Sequence, residues 1–163
     1  MKEKKAKLQY RTIILSDTHL GMRETGIGKL NNFLSNVSCK TLILNGDFID
    51  GWALSKSGEW KKAHTRCIRL ILKMVEKNKT RVIYIRGNHD DFLSKVLPIA
   101  FDRSKICEKY IHKGIHKRYL VVHGDCFDSF STKRKWIAKV GSVGYDNLMR
   151  FNRFYNKYRK LRG

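Results

Sequence analysis

Four short stretches of this 163-residue chain carry residues that could do chemistry together. They are Ser16-Asp17-Thr18-His19, Asn45-Gly46-Asp47, Arg86-Gly87-Asn88-His89-Asp90 and His123-Gly124-Asp125. Carboxylate, imidazole and amide oxygen are the donor types that suit manganese, iron, zinc or magnesium. Two cations roughly 3.5–4 Å apart need an anion between them, and a carboxylate such as Asp47 can serve. The Asp17-x-His19 spacing puts both side chains on one side of an extended strand end, because side chains alternate with period two. Gly46, Gly87 and Gly124 permit sharp backbone turns beside such cations. Each motif alone is weak, since a lone Gly-Asp or His-Gly occurs in most chains. Their weight comes from what precedes them.

Each stretch follows a β-branched or aliphatic run, at residues 12–15, 41–44, 81–85 and 119–122. Apolar runs of this length bounded by Gly, Asp and Asn read as buried strands. Between them lie helical patterns. Leu30, Phe33, Leu34 and Val37 recur at i, i+3, i+4, i+7, and Trp60, Ala63, Cys67, Leu70, Ile71, Met74 and Val75 form a longer stripe. Alternating strands and helices predict an α/β fold with a parallel sheet. In such a sheet the carboxyl ends of the strands share one edge, so Asp17, His19, Asp47, Asn88, His89 and His123 arrive at one crevice. Residues 106–111 and 119–122, joined across Lys113-Gly114, predict a hairpin. His64 falls on a helical stripe and reads as a packed histidine, whereas His112 and His116 flank the turn and read as solvated.

The composition bounds the rest. Lys and Arg number 35 against 14 Asp and Glu, a net charge of +21 that calls for an anionic partner. The longest apolar stretch, 96–101, contains Pro98 and is too short to span a bilayer, and the N-terminus has no signal-peptide core. Cys39, Cys67, Cys107 and Cys126 form no CxxC pair and read as reduced, buried thiols. These features predict a cytoplasmic protein. Residues 131–163 are strongly basic: Arg150, Arg153, Lys157 and Lys160 share one helical stripe, and Leu148, Phe151, Tyr155 and Tyr158 another. That block reads as a basic amphipathic insert or lid after a core at 1–130, and it fits peripheral contact with an anionic membrane face.

The motifs Asp17-x-His19, Gly46-Asp47, Gly87-Asn88-His89-Asp90 and His123-Gly124-Asp125 resemble the calcineurin-like metallophosphoesterase family. Leu20-Gly21, the run from Asn45 to Trp52 and the Trp- and Lys-rich segment after Asp125 are most similar to its UDP-2,3-diacylglucosamine pyrophosphatase branch, although that branch carries Arg at the place of His89. The resemblance implies a βαβ-built sandwich and two divalent metals, manganese first, with iron, zinc or magnesium as alternatives. It implies Asp17, His19 and Asp47 on one metal, and Asp47, Asn88 and His123 on the other. His89, oriented by Asp90, would face the leaving or non-bridging oxygen. The reaction implied is two-metal, in-line hydrolysis of a phosphate anhydride or ester, with a nucleotide-diphosphate lipid as substrate. The family's later Gly-His-x-His motif has no counterpart here, since no histidine follows His123. The chain therefore reads as an N-terminal portion with five of seven expected ligands, poor metal affinity and an activity that the truncation can abolish. Two other functions compete: a non-catalytic module that binds anionic surfaces, and a nucleic-acid phosphodiesterase, disfavoured because no RNP, zinc-finger or helix-turn-helix pattern is visible.

Overall fold

The expected strands form, and they pair in parallel. The computed structural model describes residues 6–23, 25–56 and 58–127. β1 (Leu8–Leu15), β2 (Val37–Asn45) and β3 (Arg81–Ile85) lie side by side, with Ile13 beside Leu42 and Leu42 beside Val82. β4 (Ile99–Phe101) and β5 (Ser104–Cys107) extend this sheet, β5 parallel to β3 and β4 antiparallel to β5, in the order β1-β2-β3-β5-β4.

The two faces of the sheet bury different partners. Ile13, Leu42, Leu44 and Val82 pack with Leu34 of α1 (Ile27–Asn36) and with Cys67, Ile71 and Met74 of α3 (Lys62–Asn78). Burying each such side chain contributes about 1.5–3 kcal/mol, which is why these apolar stripes select their elements. The short α2 (Gly51–Lys56) buries none of its residues. Asn31 of α1 ties the two long helices together, donating to the Ala63 carbonyl at 2.9 Å. His64 is fully buried, as a packed histidine should be, and its Nδ1 accepts the Lys61 N–H at 3.2 Å to cap α3.

Ile43, Ile83, Ile85 and Cys107 occupy the opposite face, against Tyr110 and Val121. Those two belong to a hairpin of β6 (Lys109–Lys113) and β7 (Arg118–Val122). The single strand expected over 106–111 is thus two. Cys107 stays in the main sheet beside Ile85, its thiol buried, and the chain departs at Glu108 to start the hairpin. The expected exposure of His112 also needs correction: it is half-buried, with Nε2 3.1 Å from the Thr12 hydroxyl.

The chain divides into two units, 1–123 and 124–163. In the second, the described residues are a single 3-10 turn, Gly124–Phe127, on which Cys126 is exposed, unlike the other three cysteines. The expected amphipathic block at 131–163 lies outside the described residues.

Candidate metal centre

All the expected site residues belong to the first unit, in loops that leave the carboxyl ends of β1, β2, β3 and β7. Backbone bonds continue past the strand ends and lace the first three loops together. Asp17 N–H donates to the Gly46 carbonyl at 3.2 Å, His19 N–H to that of Asp47 at 2.9 Å and Leu20 N–H to that of Phe48 at 2.9 Å. Gly46 N–H reaches the Ile85 carbonyl, and Gly51 N–H that of His89, both at 2.9 Å. Asp17, His19 and Asp47 all adopt positive φ, at 54°, 46° and 51°. Such backbone costs on the order of 1–3 kcal/mol per non-glycine residue, and it persists where surrounding bonds over-determine it. Asp17 and His19 therefore do not extend β1 with period two. They lie on a left-handed turn beyond it, which sends the two side chains to different neighbours.

Asp47 is the common member of two groups. The ligating atoms of His19, Asp47 and His89 lie within 4.8 Å of one another, as do those of Asp17, Asp47 and His123. His19 Nε2 stands 4.0 Å and His123 Nε2 3.5 Å from Asp47 Oδ2. The other carboxylate oxygen, Oδ1, accepts the His89 N–H at 2.8 Å. Two glycines make this crowding feasible. A Cβ at Gly46 would fall on the His123 ring, and one at Gly87 on the Asp47 carboxylate.

The three histidines share one orientation device. His19 Nδ1 and His89 Nδ1 both bond to Asp50 Oδ2 at 3.0 Å, and His123 Nδ1 bonds to the Asn45 carbonyl at 3.2 Å. Each acceptor takes the N–H from Nδ1, which leaves Nε2 as the atom with a lone pair for a cation. Burial pushes Asp50 toward protonation, but the bonds from His19 and His89 outweigh it and hold its carboxyl below the usual range. Asp47 is lowered in the same way: burial opposes ionisation, while His123 and the His89 N–H favour it. The bond to Asp50 raises His19 above the ordinary imidazole value. Edge-on contact with His19 at 4.7 Å and the tilted Trp52 indole at 4.3 Å fix the His89 ring from two sides.

The family model for calcineurin-like phosphoesterases matches residues 10–160. The chain belongs to that family. It is accordingly a metal-dependent hydrolase of phosphoesters, and the α/β architecture with its parallel-dominated sheet is the family's fold. No curated protein matches the chain. The family uses divalent cations, and the donor set here, carboxylates beside imidazoles whose Nε2 atoms face Asp47, fits such ions.

Five expected residues come together around Asp47: Asp17, His19, Asp47 itself, His89 and His123. Asn88 is half-buried between Gly87 and His89, and its side chain has no hydrogen-bond partner among the described residues. Asp90 needs correction. Rather than orienting His89, its buried carboxylate accepts from Gly87 N–H, from Phe48 N–H at 3.2 Å and from the Tyr84 hydroxyl at 2.7 Å. Asp90 thus holds the β3 loop against the β2 loop, and burial raises its pKa. The orienting role falls to Asp50, which the sequence reading missed. Its one signal was a second acid in the run Asp47-Phe48-Ile49-Asp50.

Proposed function

We propose that the chain hydrolyses phosphate anhydrides or esters at a two-cation site bridged by Asp47, with Asp17, His19, Asn88 and His123 as the remaining ligands. The observation that carries this reading is that the buried Asp47 carboxylate belongs to two clusters of candidate ligand atoms, one with His19 and one with Asp17 and His123. Bound there, divalent cations supply neutralisation of the charge that builds on phosphorus and lower the pKa of the attacking water. Phosphoryl transfer otherwise asks mainly for positioning. His89, with Nδ1 held by Asp50 and its ring by Trp52, presents Nε2 toward the substrate's leaving or non-bridging oxygen; as the doubly protonated imidazolium it would give up the Nε2 proton there and return to the Nδ1–H tautomer. Asp50 keeps His19 and His89 in the Nδ1–H tautomer.

Manganese is our first choice of metal. For the substrate we favour a nucleotide-diphosphate-linked lipid, as in the UDP-2,3-diacylglucosamine pyrophosphatase branch, on the strength of Leu20-Gly21 and the run from Asn45 to Trp52. The basic residues after 131 suit a substrate held at an anionic membrane face. Among the described residues no helix is long and apolar enough to cross a membrane.

The test is turnover by manganese-loaded protein of three substrates: bis-p-nitrophenyl phosphate, UDP-2,3-diacylglucosamine and single-stranded RNA. Metal-dependent hydrolysis that Asp47→Ala abolishes is the expected result, with UMP released fastest. Turnover unaffected by Asp47→Ala would overturn the two-cation site. Faster cleavage of RNA than of the nucleotide-diphosphate lipid would replace the substrate reading with the nuclease one.

A further inference from the structure

A basic pocket lies between the main sheet and the β6–β7 hairpin, with a volume of about 330 Å³. Its floor is one register row, Thr12 beside Thr41 and Thr41 beside Arg81, which sets two hydroxyls and a guanidinium side by side. Thr12 lies three residues before Leu15, the end of β1, so at roughly 3.3 Å per residue the row stands about 10 Å back along the strand from the loops of the metal centre. His112 closes the pocket from the hairpin, with its Nε2 3.1 Å from the Thr12 hydroxyl. Arg11, Lys40 and Lys113, with Tyr110 and Ile111, complete the lining, and no acidic residue contributes to it. None of these four cations has a carboxylate partner among the described residues.

We propose that this pocket is a second anion site, for the phosphate or diphosphate group of a soluble small molecule. Four like charges gathered round one cavity repel one another, and a bound anion turns that repulsion into attraction. Guanidinium forks, ammonium groups and hydroxyl donors together are the groups that phosphate oxygens accept from. The hairpin walls one side of the cavity, and a concave site of this kind suits a free diphosphate better than a flat bilayer. The site uses none of the residues around Asp47 and stands whether or not the reading of that centre holds.

The probe is inorganic pyrophosphate, titrated into full-length protein that has been stripped of metal and then freed of chelator. Amide resonances report where it binds. Saturable shifts at Thr12, Thr41, His112 and Lys113 are expected. Arg81→Gln with Lys113→Gln should weaken binding about tenfold or more, whereas Lys73→Gln with Lys77→Gln, the same change of charge on α3, should alter it by less than about twofold. Equal weakening by the two double variants would reduce the effect to net charge and overturn the site. So would shifts in the unmodified protein that cluster at Asp17 to His19 or spread along α3, a readout that needs no variant to fold.

Discussion

At the scale of single residues, the centre depends on groups that never touch the substrate. Asp50 receives N–H bonds from His19 and His89, so it sets the tautomer of both rings. Asp50→Asn leaves the shape but removes the charge, and it should cost about 10–100-fold in metal affinity or turnover. Metal titration by calorimetry and steady-state kinetics check this; unchanged values for both would mean that packing against Trp52 alone orients the rings. Gly46 is the second such residue. It has φ of 74°, and a methyl group there would occupy the place of the His123 ring. Gly46→Ala should therefore lose about 1–3 kcal/mol in chemical denaturation and weaken metal binding. Gly28 supplies the contrast: it lies in α1 with open space around its Cα. Gly28→Ala should stabilise the protein by roughly 0.5–1 kcal/mol. If both substitutions behaved alike, the crowding at Gly46 would not be what constrains it.

At the scale of elements, α3 couples the fold to pH through His64. This imidazole is buried, accepts the Lys61 N–H on Nδ1 and lies beside the Thr25 hydroxyl at 3.3 Å on Nε2. Burial first, and the Lys61 charge second, hold its pKa below the ordinary 6.5. The unfolded chain therefore takes up this proton more readily than the folded one. The stability that neutral His64 contributes is present in full above 6.5 and is lost as pH falls from there toward the lower folded value. Melting temperatures measured from about pH 7 to pH 5 should fall less steeply for His64→Gln than for the unmodified protein. Parallel curves would show that the capping nitrogen is not the titrating group.

At the scale of the whole molecule, the excess of 35 basic over 14 acidic residues makes long-range attraction to anions unavoidable. Whether a membrane is the partner turns on residues 131–163, where the sequence spacing predicts one helical stripe of Arg150, Arg153, Lys157 and Lys160 and another of aromatic residues. Each Lys or Arg near an anionic surface contributes about 1 kcal/mol, attenuated within a Debye length of ~8 Å at physiological salt. Sedimentation with anionic vesicles should show binding that weakens with salt and drops when the four cations become Gln, with none to zwitterionic vesicles. Protein that stays in the supernatant with anionic vesicles at low salt would sink the membrane role.

The legible part of this protein was local. Apolar runs ending in Asp, Asn or His mark strands, and parallel strands deliver their carboxyl ends to one edge. Residue types and order alone therefore place Asp17, His19, Asp47, His89 and His123 together. Periodicity likewise marked the buried stripe of α3 and the packed His64. Partner choice was not local. Asp50 serves His19, 31 residues earlier, and His89, 39 residues later, and no spacing rule carries across such separations. Asp90 stands next to His89 in the chain, yet its carboxylate is committed to Gly87, Phe48 and Tyr84. The division at Glu108 was set by Cys107 finding Ile85 across the sheet. Local pattern determines which elements form and which edge they share; the hydrogen-bond partners at that edge were decided only when the loops, bent through left-handed turns, came within reach of one another.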